Sequence, residues 1–305
     1  MRLGVAGCGR IAERGYVPAA LAAEGVRIAA FADPDAGRLR QCAELWEREG
    51  GEAAGTFASV SELLGAEPID LLVIAAPAAH HLALAEEAAA AGVPSLVEKP
   101  PAPDLASAER LAALDPQPFL AFNRRFLQGI ELRDRIPAEG WLELDLELRF
   151  RRSDWGAHEA EDEALLDAGI HLIDLACYLT ASNPIAVRQA EITPQRATLE
   201  LELSRARARI SCATDRSHRE AITVRDRSGK ELASTTWGGI GARLGPLLGR
   251  PDPLVLSLQR QLEALRDQAQ RGTHLASAAD GIAAMSIVEA ARRSAALDGA
   301  EVTVA

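Results

Sequence analysis

Residues 3–12 read LGVAGCGRIA. A four-residue apolar run meets Gly7, Gly9 follows, and Ala12 closes a GxGxxA pattern. The first glycine permits a tight turn after a strand, and the second lets backbone come close to a pyrophosphate. Ala12 allows close packing of the following helix on the sheet, and the N–H groups at that helix start face the anion. Gly7, Cys8, Gly9, Arg10 and Ile11 are therefore candidate dinucleotide contacts. Glycines also make ordinary turns, so context decides. Here the pattern follows a strand, opens a helix over residues 10–23, and is followed by a second apolar run, residues 26–32, ending at Asp33-Pro34. Asp33 lies 21 positions past Ala12. Its carboxylate suits ribose hydroxyls and repels a 2′-phosphate, so NAD is expected over NADP. Arg38, one helical turn on, is the residue able to reverse that preference. Asp33 also reads as a cap for the next helix, which is compatible with the first role.

The chain outward from this motif keeps alternating strand and helix. Residues 69–76 (IDLLVIAA) form a third apolar run, and a helix over 80–91 stops at Gly92. Residues 93–97 form a fourth strand stopped by Glu98-Lys99-Pro100-Pro101, and residues 119–122 a fifth. Continuous apolar strands indicate burial on both faces, as in a parallel sheet. The expected first domain, residues 1–122, is a doubly wound α/β fold of the Rossmann type.

From residue 123 the pattern changes. Over 142–150 every even position is apolar and every odd one charged, the mark of a strand with one wet face. Leu199, Leu201 and Leu203 continue the alternation, and then Ala206, Ala208 and Ile210 carry it in shifted phase. A two-residue hairpin turn at Ser204-Arg205 explains the slip and sets Glu202 opposite Arg207 and Glu200 opposite Arg209. A β-bulge is the rival explanation. Helices are expected near 165–179, 254–270 and 278–296, with a Gly/Pro-rich loop over 238–253. The second domain, 123–305, is thus an α+β unit with an open, mainly antiparallel sheet, and helix 278–296 is a candidate to pack back on the first domain. A length of 305 residues fits two domains.

A net charge of −11 argues against nucleic acid and anionic membrane as partners, and no apolar run is long enough to span a bilayer. The four scattered cysteines form no disulfide framework, and the first residues lack a signal-peptide pattern, so a cytoplasmic protein with a small-molecule substrate is expected. Only two of the 33 basic residues are lysine, Lys99 and Lys230. Lysine can give up its proton near neutral pH and arginine cannot, so Lys99, at the carboxyl edge of the sheet, is a candidate for proton transfer. Asp167, His171 and Asp174 are spaced i, i+4, i+7 on one face of an otherwise apolar helix. Such a stripe is ordinarily amphipathic surface, and the trio offers no further ligand, so no metal is expected.

These motifs resemble the glucose–fructose oxidoreductase/inositol dehydrogenase (Gfo/Idh/MocA) family. The resemblance runs through GCGRIA, FADPD, APAAHHLALAEEAAAAGVPSLVEKP, FNRRF, DAGIHLID and IVEAARRSAALDGAEVTV. It implies NAD(P)-dependent hydride exchange at a CH–OH or C=O centre of a sugar, cyclitol or related metabolite. It implies that Lys99 and His171 form the proton relay and that Asp167 orients substrate or imidazole. Asp174 is then a structural partner. Ala76, Pro77, His81, Glu98 and Lys99 would border the dinucleotide. Asn123, Arg124 and Arg125, with Asp167 and His171, would face substrate, one arginine being instead the partner of an acidic neighbour. A homodimer or homotetramer is also implied. Two departures stand out. Asp162-Glu163-Ala164-Leu165-Leu166 replaces a glycine-rich stretch, and the chain is short for the family. Two other readings remain beside the dehydrogenase. One is a non-catalytic dinucleotide sensor acting through a protein partner, which would not need both Lys99 and His171. The other is a reductase of a C=N or C=C bond, which these residues do not distinguish.

Overall fold

The computed structural model describes residues 1–155, 163–238, 251–267 and 274–304. Asp162 of the stretch that replaces the glycine-rich segment, residues 239–250 of the expected Gly/Pro-rich loop and residues 268–270 of the expected helix lie outside that set. The described chain divides into two compact units, Met1–Leu127 with Asp252–Ile282, and Gln128–Pro251 with Ala283–Ala305.

The first unit holds β1 (Arg2–Ala6), α1 (Val17–Ala22), β2 (Arg27–Ala32), α2 (Ala36–Arg48), β3 (Gly55–Phe57), α3 (Val60–Ala66), β4 (Leu71–Ile74), α4 (His81–Ala90), β5 (Ser95–Val97), α5 (Leu105–Ala112) and β6 (Phe119–Leu120). Its sheet has the order β13-β6-β5-β4-β1-β2-β3, where β13 is Ala276–Ser277. Every pairing is parallel except β13 with β6. The order reverses about β1, the switch point of a doubly wound sheet, where the carboxyl ends leave a crevice. Leu3, Val5, Ile28, Phe31, Leu72, Val73 and Leu96 are fully buried, which is why these strands read as unbroken apolar runs. Each such side chain contributes roughly 1.5–3 kcal/mol of burial. The strand β3 escaped the sequence reading because GTF is three residues long and only half-buried.

The helices α2, α3 and α5 start on side-chain caps. Asp35 accepts from the N–H groups of Gly37 and Arg38, Ser59 from Glu62 and Asp104 from Ser107. The helix expected from residue 10 opens instead as a π-helical turn, Ala12–Tyr16, before α1.

The second unit holds α6 (Ile130–Arg133), β7 (Leu142–Arg151), α7 (Ile170–Thr180), β8 (Pro184–Ile192), β9 (Arg196–Leu203), β10 (Ala206–Ala213), β11 (Asp215–Asp226), β12 (Glu231–Gly238) and β14 (Val302–Thr303). Its sheet runs β12-β11-β7-β10-β9-β8-β14, antiparallel except for β7 with β10. Leu142, Leu144, Leu146 and Leu148 are buried and the residues between them are not. The turn at Ser204-Arg205 is a hairpin, with Leu203 opposite Ala206, Glu202 opposite Arg207 and Glu200 opposite Arg209. The expected charge pairs do not form along it. Arg209 Nε reaches Asp145 Oδ1 at 2.7 Å on the other side, and Glu202 pairs with Arg188. The reason is that β10 lies between two strands, and Asp145 also stands directly across from Arg209.

The division differs from a single cut after residue 122. The helix α8 (Pro253–Arg266) and β13 belong to the first unit, and α9 (Ala278–Ala296) contains the boundary at residue 282. Packing explains the return of α8. A side chain on Gly15 would come within 2.7 Å of Leu258 Cδ1, so the glycine lets α8 lie close to the first helix. Gln259 donates to Ala22 O at 3.0 Å and Gln261 to Leu120 O at 3.0 Å.

Candidate functional site

The glycine turn is built by two different constraints. Gly7 has φ +94°, and a Cβ there would lie 2.7 Å from the backbone of Ala75 and Ala76. Any side chain would break this contact with the end of β4. Gly9 is the opposite case, because a Cβ there would meet nothing within 4 Å. The protein leaves that side of Gly9 open, as a turn that admits a phosphate must. The residues present therefore fit a dinucleotide. Cys8 between them is buried, Ile11 is partly exposed and Arg10 is exposed, its guanidinium 4.0 Å from Glu13.

Asp33 ends β2 with only 7% of its surface exposed. Its Oδ2 accepts from Cys8 N–H at 2.7 Å and its Oδ1 from Asp35 N–H at 2.8 Å. The acidic residue thus shapes the glycine turn, while the helix cap is Asp35. Arg38 Nε stands 3.7 Å from both carboxylates.

At the neighbouring strand ends, Ala76 is half-buried and Pro77 exposed. His80 is exposed and His81 buried, so the two adjacent histidines have separate fates. The ring of His81 lies with Nδ1 2.9 Å from Pro100 O and Nε2 2.7 Å from Ala76 O. Burial pushes its pKa down, and the carbonyls oppose that. Glu98 is buried, and burial pushes its carboxyl up, against the Tyr16 hydroxyl and Lys99. Tyr16 Oη donates to Glu98 Oε1 at 2.8 Å, and the backbone N–H of Lys99 donates to Oε2 at 3.0 Å. Burial beside this carboxylate drives the Tyr16 hydroxyl far up. Lys99 is half-buried just past β5.

The three residues after β6 differ. Asn123 is buried and its amide donates to Ser257 Oγ at 3.1 Å. Arg125 is buried, with Nη2 3.0 Å from Asp280 Oδ1 and Nη1 donating to Leu275 O at 3.4 Å. Asp280 in turn accepts from Ser277 N–H and Oγ at 2.7 and 2.8 Å, fastening the start of α9. Arg125 is thus the arginine with an acidic neighbour, and Arg124 is half-buried beside it.

In the second unit, Asp167 lies in a π-helical turn, Leu165–Gly169, that runs into α7. His171 and Asp174 are buried in α7, exposed by 7% and 2%. Arg152, at the end of β7, donates from Nε at 3.1 Å and Nη2 at 2.6 Å to Asp167 Oδ2. This partner was not visible in the sequence, where arginine is too common to mark any one position. A third π turn, Arg125–Gly129, follows the FNRR stretch. Among the described residues, the three π turns each overlap or adjoin a segment singled out by motif, in keeping with the tendency of such turns to occur at functional sites.

Residues 1–117 match the GFO_IDH_MocA family model, described as an oxidoreductase family with an NAD-binding Rossmann fold. The chain is 30% identical to inositol 2-dehydrogenase of Leifsonia xyli subsp. xyli over 193 residues, 61% of this chain and 55% of that protein. It thus matches about half the length of that relative. The rhizopine catabolism protein MocA of Rhizobium meliloti is 27% identical over 314 residues, covering 95% of this chain and 93% of its own. Among solved structures, myo-inositol dehydrogenase of Lactobacillus casei, in complex with NAD(H) and myo-inositol, superposes with a TM-score of 0.79. That likeness covers 100% of this chain and 97% of the other at 16% identity, and so speaks to the fold alone. No described helix is long and apolar enough to cross a membrane.

Proposed function

We infer, from the match of residues 1–117 to the Gfo/Idh/MocA oxidoreductase family model and from the inositol dehydrogenase and MocA relatives, that the chain is an NAD-dependent dehydrogenase of that family acting on a neutral polyol, a sugar or cyclitol. The observation that carries this reading is one hydrogen-bonded group at the carboxyl edge of the first sheet. The open glycine turn rests on Ala75–Ala76, His81 joins Ala76 to Pro100, and Tyr16 joins the fingerprint helix to Glu98 beside Lys99. Gly7 to Ile11, with Asp33, would hold the dinucleotide. Oxidised nicotinamide, when bound, supplies the acceptor for the hydride of a carbinol carbon. Lys99 takes the hydroxyl proton, and His171 completes the relay. Asp167, held by Arg152, orients polar groups of the substrate. Arg152–Asp167 and Arg125–Asp280 are internally neutralised pairs. That pairing supports an uncharged substrate over an acid. The named activity of the inositol dehydrogenases among the relatives supports the same class. Asp33 supports NAD over NADP.

The test is a panel of cyclitols, aldoses and keto-sugars, incubated with NAD and with NADP and followed at the reduced-nicotinamide absorbance band. Turnover with at least one neutral polyol, faster with NAD, is expected. Lys99→Met should lower kcat by about 10²–10⁴-fold, the range for a lost general acid–base group. It should leave the NADH Kd within about threefold, since the amine is not a phosphate ligand. Absence of turnover across the panel, or an active Lys99→Met enzyme, would sink the reading. A sensor would retain its dinucleotide response in that variant.

A further inference from the structure

Lys99 is bracketed by two side-chain fastenings that come from different elements. On one side, Glu98 is locked by the Tyr16 hydroxyl at 2.8 Å, and its other oxygen accepts the N–H of Lys99 itself at 3.0 Å. On the other side, Pro100 O lies 2.9 Å from the His81 ring, whose second nitrogen is 2.7 Å from Ala76 O at the end of β4. Tyr16 and His81 are 0% and 1% exposed, so water does not compete for these bonds. Tyr16 sits in the π turn that follows the glycine fingerprint, and His81 opens α4. Neither belongs to the strand that carries the lysine. Two buried polar groups spent on the two chain neighbours of one residue are more than β5 needs, since its ladder to β4 and β6 already defines its path.

We propose that Tyr16 and His81 are positioning residues for Lys99, each fixing the backbone on one side of it so that the amine leaves the sheet edge in a single direction. The functional part of this proposal rests on Lys99 being the proton-transfer residue. Its geometric part does not. A displacement of about 1 Å at a reacting group costs about a hundredfold in rate, so a backbone clamp of this kind is worth that order.

The small number of lysines makes the test direct. Reductive ¹³C-methylation of the whole protein labels Lys99, Lys230 and the amino terminus, and the Lys99 signal is assigned by its absence in Lys99→Arg. Tyr16→Phe removes the hydroxyl and keeps the ring, and His81→Gln keeps one hydrogen-bonding arm. In each variant the Lys99 resonance should shift or broaden while that of Lys230 stays in place. With the polyol identified by the panel, kcat should fall about 10–100-fold, with the NADH Kd within about threefold of the parent. A Lys99 resonance that superposes on the parent in both variants overturns the clamp, whatever the panel finds. A kcat loss matched by an equal loss of NADH affinity also overturns it, because the residues would then be supporting the dinucleotide site. Should His81→Gln fail to fold, Tyr16→Phe decides alone, since its buried ring is conserved. If the panel yields no turnover while the resonance moves, the clamp stands and the dehydrogenase reading falls.

Discussion

Gly7 and Gly9 look alike in the motif and are required for different reasons. Gly7 is held by protein, with φ +94° and Ala75–Ala76 backbone at 2.7 Å from any Cβ. Gly7→Ala should therefore destabilise the fold by roughly 1–3 kcal/mol, through strain at a left-handed position and a backbone clash. Gly9 faces open space, so Gly9→Ala should leave the melting temperature nearly unchanged and weaken NADH binding at least tenfold. Thermal melts and fluorescence titration of the two variants check this, and equal melting losses would contradict it. Asp33 shows the same division of labour. The sequence reading assigned its carboxylate to ribose, and the structure adds that both oxygens already accept N–H groups of Cys8 and Asp35. What sequence could not display was the partner of each polar side chain. Tyr16 is one of only two tyrosines, a weak signal by itself, and its role depends on an acid 82 positions away.

Elements are joined by partly buried ion pairs as well as by apolar surface. The start of α9 is tied to the segment after β6 through Asp280 and Arg125. Burial raises the Asp280 pKa, but the Arg125 charge and the Ser277 bonds override it and hold the carboxyl below its ordinary value. A lowered carboxylate pKa adds stability that is present above the unfolded value, near 4, and is lost as pH falls through the folded one. Asp280→Asn should cost about 1–3 kcal/mol at neutral pH, because buried Arg125 loses a partner. The difference from the parent should vanish below the folded pKa of Asp280. Denaturant melts across pH 2.5–7 (about the span of carboxylate titration) check the sign, and a difference that grows in acid would refute it. At this scale the alternation over 142–150 and the phase slip at Ser204-Arg205 were legible, because pleat period and burial are local. The cross-strand partners were not, since the hairpin pattern does not reveal that β7 flanks β10. The π turns left no periodic mark because each inserts only one residue's worth of slack.

For the whole molecule, binding of the dinucleotide to the folded chain alone should stabilise it by mass action. At NADH one hundred times its Kd the gain is about 2.7 kcal/mol, and for a chain of this size that is a rise of several degrees in melting temperature. Calorimetry with and without NADH checks this, and no shift at saturation would contradict the dinucleotide site. The sequence by itself determined the α/β class, the position of the glycine turn, the strand that ends in Lys99 and the change to a one-sided sheet after residue 123. Each of these follows from local periodicity and from residue types with few conformational options. Only the tertiary structure decided that Asp252–Ile282 returns to the first unit, which side chains fasten Glu98 and Pro100, and that Arg152 holds Asp167. These depend on contacts between residues far apart in the chain, and a polar side chain carries no mark of its partner until packing brings the two within hydrogen-bond reach.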